Sequence, residues 1–303
     1  MKRLLYILLA INIGCNSAEQ PTHEGQSSKS YENPEFAKYW DEGKAELNNY
    51  ELKQCRYGEV HNGQAVLIFV TEDMSKSKHV KLDQPDSAGS DAVHVIKMNF
   101  TKKFVTGIYP YSMMMSVFTP LSGYPSPIKV TTSSQEWCGH TFTQLNKGYT
   151  GYKVQLNSYF ESEGDDMFHI DIDIMPEDGI WNIIRTAPNK LPTGKTNLIP
   201  STLYQRLSHT DIKPVKAICT LDSTDSINTY TIQYESLKRT LSISFESNFP
   251  YRIRSWEETY TGIDGKDCTT KGKLKKQIML DYWRHNSISD SSYRSLLMLH
   301  DGQ

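Results

Sequence analysis

Between Lys129 and Asn146 the chain sets Gln135, Glu136, Trp137, Cys138, His140 and Gln144 in close succession, just after Thr131, Thr132, Ser133 and Ser134. A thiol beside an imidazole is the pairing that nucleophilic catalysis uses, with histidine taking the thiol proton. Side chains two apart on a strand point the same way but stand about 7 Å apart, and activation needs roughly 2.6–3.2 Å. An enzyme centred on Cys138 and His140 is therefore the alternative reading. The first reading is ligand contact by Gln135, Trp137, Cys138, His140 and Gln144, a set rich in hydrogen-bonding groups around one large ring.

Two further groups extend that candidate ligand surface. Met113 and Met115 belong to an apolar run from Gly107, and flexible thioethers make adaptable lining, with ordinary core packing as the competing reading. Arg254 and Trp256 fall two apart, so on a regular strand they share a face where they could stack on a ligand or hold a carboxylate. His169-Ile170-Asp171 has the spacing of a facial metal triad. Neither His209 nor His285 has a context that would complete it, and a solvated strand face is the simpler account. Glu161, Glu163, Asp165 and Asp166 lack calcium-loop spacing and read as a surface turn. No phosphate-binding loop, dinucleotide fingerprint, serine-hydrolase elbow or zinc motif occurs, so neither cofactor nor metal is expected.

The elements that must position these residues are mostly strands. β-Branched and aromatic residues favour extended structure over 129–146, read as a strand, a kink at Gly139 and a second strand. Asn33-Pro34-Glu35 starts a helix whose Phe36, Tyr39 and Trp40 form one aromatic stripe. From residue 46 the period changes to two, with a hairpin expected at His61-Asn62-Gly63. The continuously apolar Ala65 to Val70 predicts a strand covered on both faces, with a helix on the second. Alternation predicts strands at 96–100, 151–160, 169–174, 215–221, 228–234, 240–246, 251–261 and 268–280. Short helices are expected near 181–185 and 200–207 between proline breaks, and a closing helix at 289–299. The fold class is mainly β with some α: a large antiparallel curved sheet or half-barrel with a few packed helices.

The N-terminus sets the address. Lys2 and Arg3 precede an apolar run, Leu4 to Ile13, and then Gly14-Cys15, the layout of an export signal too short to span a bilayer. A cysteine at that point resembles the bacterial lipobox, with Asn12 where that motif usually has leucine. The resemblance implies a lipidated Cys15 after removal of the signal. Residues 16–32 are small and polar and read as a tether. Residues 33–303 then form one β-rich domain. Asn16, which is not aspartate, points to the outer membrane, facing the periplasm. With 33 basic and 35 acidic residues the net charge is −2, so nothing attracts nucleic acid. Cys55, Cys138, Cys219 and Cys268 remain in a compartment that permits disulfides, and spacing does not choose their pairing.

Residues 50–73, 99–120 and 130–146 resemble a group of uncharacterised Gram-negative lipoproteins that often carry the name "septum formation inhibitor Maf". Maf proteins proper are cytoplasmic nucleotide pyrophosphatases with a Ser-x-Ser-Pro-Arg-Arg motif, which is missing here, so no Maf residue is carried across. In pattern, the antiparallel strands, the helical interruption near Leu203-Tyr204 and the late run Phe249 to Ile253 are similar to LolA-like periplasmic half-barrels. That resemblance implies a curved sheet around a helix, with room for an acyl chain in the concave face. The expected partners are a membrane through the lipid anchor and either a hydrophobic ligand or another envelope protein. The expected role is ligand binding or envelope assembly.

Overall fold

Two-residue alternation dominates the chain and yields fourteen strands, which pair into one antiparallel sheet in the computed structural model described for residues 34–171, 173–262 and 265–299. The first meander comprises β1 (Ala45–Arg56), β2 (Glu59–Ser75), β3 (Ala92–Thr106), β4 (Tyr109–Pro120), β5 (Lys129–Glu136), β6 (Gly139–Lys147), β7 (Tyr152–Ser158) and β8 (Asp166–Ile170). The second comprises β9 (Gly194–Leu198), β10 (Val215–Ser223), β11 (Ile227–Tyr234), β12 (Arg239–Glu246), β13 (Ile253–Thr261) and β14 (Asp267–Leu280). β1 pairs with β14 and joins the meanders, leaving β8 and β9 as the free edges of an open, curved sheet. Cys55 and Cys268 form a disulfide across that seam, with Cα atoms 5.7 Å apart.

The connection from β8 to β9, with the segment after β9, fills the concave face. It carries α2 (Ile180–Thr186) and α3 (Thr202–Ser208). Ile180, Trp181, Ile183, Ile184, Leu203 and Leu207 join one buried cluster with inward residues of both meanders. Trp181 packs edge-on against Phe100 at 5.2 Å and Trp256 at 5.6 Å. Cutting Trp181 back to alanine removes that whole contact and costs about 3–5 kcal/mol. Near the start of β1, α1 (Pro34–Trp40) adds Phe36 and Trp40 to the same cluster. On the convex side, α4 (Ser292–Leu296) and Leu297 close over Leu47 and Val70. The Asn49 amide fixes that tail by donating to the carbonyls of Leu297 and Met298, both at 2.9 Å. Ala65 to Val70 is thus covered on both faces, as its unbroken apolar run requires.

Several local expectations give way to other physics. The hairpin turns at Tyr57-Gly58, both with positive φ, rather than at His61-Asn62-Gly63, which lies inside β2. Gly63 is needed there because a Cβ would meet the Lys103 carbonyl oxygen at 2.4 Å. Both strands expected over 129–146 form, but they are joined by a two-residue turn at Trp137-Cys138 rather than a kink at Gly139, with Glu136 opposite Gly139. β8 ends at Ile170, short of 174, and β9 arises where only helix and loop were expected. Cys15, the tether and the Asn33 cap lie outside the described residues, and so does Asp264 of the expected turn at Asp264-Gly265. No helix among the described residues is long and apolar enough to cross a membrane.

Candidate functional site

Inside the sheet, hydrophobic packing leaves a few charged groups that must be matched, because an unpaired buried charge is costly. Arg239 on β12 grips Glu177 with both guanidinium nitrogens at 2.6 Å and reaches Glu258 on β13 at 2.8 Å. The Tyr234 hydroxyl donates to Glu177 at 2.7 Å. Burial pushes the Glu258 carboxyl up, and the Arg239 and Lys102 cations more than reverse this, holding it below the usual range. Arg185 on α2 forms a second fork with Glu46 on β1, and its Nε donates to the Pro250 carbonyl at 3.0 Å. Asn182 donates to the carbonyls of Ile96 and Val117 at 3.2 Å. These bonds pin the inner segment to both meanders, so the concave face is a closed polar-latched core.

Asp178 is buried with no ion pair among the described residues. Burial raises its carboxyl to about 7, although Thr202 donates to it through its backbone N–H at 3.2 Å and its hydroxyl at 3.0 Å. The Thr202 hydroxyl also meets Thr132 of β5 at 2.6 Å. The carboxyl lies at the entrance to α3.

The exposed chemistry lies at one end of the sheet, where four successive hairpins of the first meander turn. Tyr57, Ile108, Trp137 and Tyr159 stand at these turns, 57, 81, 69 and 69% exposed. Tyr57 lies six residues past Gly63 and Ile108 four past its partner Phe104; Ile108 lies four past Ser112 and Trp137 two past its partner Gln135. A fall-back of two residues per hairpin is about 7 Å over roughly 10 Å across, a slant of about 35°, the tilt of barrel strands. The first three tips therefore line up side by side across the end. Tyr159 joins them by lying over the β6 backbone, where Gly139 leaves room: a Cβ would sit 2.6 Å from that ring.

A collar of bonds links Tyr57 and the residues beside the tips. The Tyr57 and Tyr111 hydroxyls are 2.8 Å apart and Tyr109 donates to Tyr57 at 3.0 Å. The Arg56 guanidinium lies over the Tyr57 ring at 4.5 Å and donates to the Leu207 carbonyl. Arg206 on α3 pairs with Glu136 at 2.7 Å and covers the Phe160 ring at 4.4 Å. His209 contacts Glu163 at 2.7 Å. In the second meander the corresponding turn, Glu235 to Lys238, carries polar residues and a half-buried Leu237.

The candidate residues read from sequence fall into separate places. Trp137 and Cys138 are at a hairpin tip, with Gln135 and His140 cross-strand partners just below them on the convex face. Cys138 is an exposed free thiol, and no hydrogen bond or ion pair links it to His140. Gln144 is further along the same convex face. Met113 and Met115 are 1% and 0% exposed, and Met115 meets the Thr202 hydroxyl at 3.6 Å. They are core packing under α3, not ligand lining. Trp256 is core as well, while Arg254 faces outward and pairs with Glu246 at 3.4 Å. Arg254 is the extra residue of a β-bulge, since Ser244 faces Ser255 and Phe245 faces Ile253, and the bulge reverses the two-residue count. Tyr57, Ile108 and Tyr159 were missed; the available signal was a bulky residue beside Gly58, beside Gly107 and just before the acidic turn at 161–166.

No protein-family model and no curated protein matches the chain. Among solved structures, a β-barrel-like protein of domain of unknown function DUF1849 from Brucella abortus aligns over 78% of this chain and 97% of its own. Its identity is 9% and its TM-score 0.43, so it carries no argument about what this chain does. The chain is, on its own geometry, an open antiparallel half-barrel with a latched interior and one exposed aromatic end.

Proposed function

We propose that this chain is a lipid-anchored envelope protein without a reaction centre, an assembly or structural factor that rests its aromatic hairpin tips on the lipid–water interface. The observation that carries this reading is the aligned, exposed row of Tyr57, Ile108, Trp137 and Tyr159. Tyrosine and tryptophan favour the headgroup level, where an apolar ring and a polar edge are both satisfied. The anchor proposed at Cys15 supplies the bilayer, since acyl chains gain about 0.8 kcal/mol per buried CH₂.

The chain lengths are compatible. α1 packs beside Phe69, which pairs with Glu46 at the start of β1, so the described chain begins at the end away from the tips. β1 is 12 residues long, about 40 Å when extended. Residues 16–32 reach about 60 Å at full extension, enough to bring the tips down to the membrane that holds Cys15. An acyl carrier with its ligand in the concave face is disfavoured, because α2 and α3 occupy that space. A Cys138–His140 enzyme is disfavoured by the lack of any contact between the pair.

The test is fluorescence of the full-length acylated protein in vesicles containing bromine-labelled phosphatidylcholine. Trp40, Trp181 and Trp256 are buried and serve as an internal background. Quenching that disappears in Trp137→Phe supports interfacial contact. Equal quenching in both proteins, or none in either, removes it.

A further inference from the structure

The convex face carries a cleft of about 480 Å³ near the end opposite the tips, between the 76–82 loop and the C-terminal segment. Lys81, Lys97 and Lys129 line it together with a single carboxylate, Glu72, and the rings of Phe118, Tyr282 and Trp283 form apolar walls. Three ammonium groups to one carboxylate leave two positive charges in excess. Lys97 spends its charge on Glu72, and Lys81 stands 4.0 Å from the same oxygen. Among the described residues Lys129 has no acidic partner; its Nζ donates to the His79 carbonyl at 3.0 Å. Burial lowers the Lys129 ammonium, and burial and Lys129 both lower the His79 imidazole. Tyr282 and Trp283 meet edge to face at 5.4 Å, which presents a ring face and a ring edge together.

We propose that this cleft binds a phosphate monoester attached to an apolar or aromatic body, the phosphate lying between Lys129 and Lys81 and the body against Phe118 and Trp283. A dianion matches the excess of two charges, and a half-buried lysine strengthens the attraction because its water shell is already thinned. The apolar walls then add area that a free inorganic ion cannot use. Lys97 and Glu72 stay paired and act as the polar floor. The site lies away from the hairpin tips and does not depend on how those tips are used.

Binding of phenyl phosphate, lysophosphatidic acid, inorganic phosphate, phenol and lysophosphatidylcholine to the intact protein, followed by calorimetry, tests this. The expected result is that phenyl phosphate or lysophosphatidic acid binds at least tenfold more tightly than phosphate, phenol or lysophosphatidylcholine. Preference for phenyl phosphate identifies a soluble ligand, and preference for lysophosphatidic acid a lipid headgroup. Lys129→Met is expected to weaken the favoured ligand at least tenfold, and raising salt from 50 to 500 mM to weaken it further. A urea unfolding curve for Lys129→Met that superimposes on the parent shows that lost binding is not lost folding, and Lys81→Met supplies a second, more exposed probe. Failure of both phosphate esters to bind at millimolar concentration, or binding untouched by both substitutions, overturns the proposal.

Discussion

The concave interior and the convex cleft both gather cations, and they treat them differently. Inside, Arg239 is shared by Glu177 and Glu258, and Arg185 is forked to Glu46, so each guanidinium is neutralised by groups held at fixed geometry. In the cleft, Lys129 has among the described residues a carbonyl for its partner, and two other lysines share one glutamate. Matched charge in a dry core fixes how elements pack. Unmatched charge in a wet cleft is held in reserve for something that comes from outside. Charge count alone does not distinguish these cases; the ratio of cations to carboxylates and the exposure do.

Breaking the interior balance should give the largest effect. Arg239→Met leaves Glu177 buried without its cation and Glu258 with Lys102 alone, and is expected to cost about 3–5 kcal/mol in urea unfolding. Combining it with Glu177→Gln and Glu258→Gln should recover part of that loss, and a triple variant no more stable than the single would contradict the matching argument. Next comes the seam: replacing Cys55 and Cys268 together by alanine should lower stability by about 2–4 kcal/mol, because the bridge closes a loop spanning 213 residues.

Asp178 sharpens the same contrast through pH. Its folded-state value is raised from 3.8 to about 7, so the native state keeps a proton that the unfolded chain has already released. Its contribution is therefore fully present below pH 3.8 and is lost as the pH climbs to about 7, with no further change above. Asp178→Asn should remove that slope, gaining on the parent by on the order of 2 kcal/mol between pH 4 and pH 7. A gain that is flat across this window would show that the carboxyl is ionised throughout. The smallest effect belongs to the cleft: Lys129→Met should change unfolding free energy by less than about 0.5 kcal/mol, as substitutions outside a matched network do.

Much of the sheet was legible because alternation at period two survives wherever one face meets the core, as at Ile96, Met98 and Phe100. The aromatic stripe of α1 and the apolar run of β2 were legible for the same reason. Positions set by backbone contact were not. Asn62-Gly63 has the composition of a turn, yet Gly63 answers to the approach of β3, a neighbour that only the folded register supplies. At Arg254 a one-residue bulge inverted the inside-outside count, and no local residue type announces it. The buried forks were hidden too, because Glu177, Arg239 and Glu46 look like ordinary surface residues until the pairing partners arrive from distant strands. For the candidate site, Trp137 and Cys138 stand out in the sequence by residue type alone. Their membership in a row with Tyr57 and Ile108 depends on hairpin stagger, which is a property of register rather than of any one segment.

The strand order carries a last implication for how the molecule is made. β1 is the first strand of the sheet to be made and β14 the last, yet they are neighbours in mid-sheet. The early meander must therefore wait with the backbone of β1 unsatisfied while more than two hundred residues are still in transit, and an uncovered flank of that length invites foreign strands. Arrival of β14 both ends that exposure and brings Cys268 to Cys55, so oxidation of the pair records that assembly is complete.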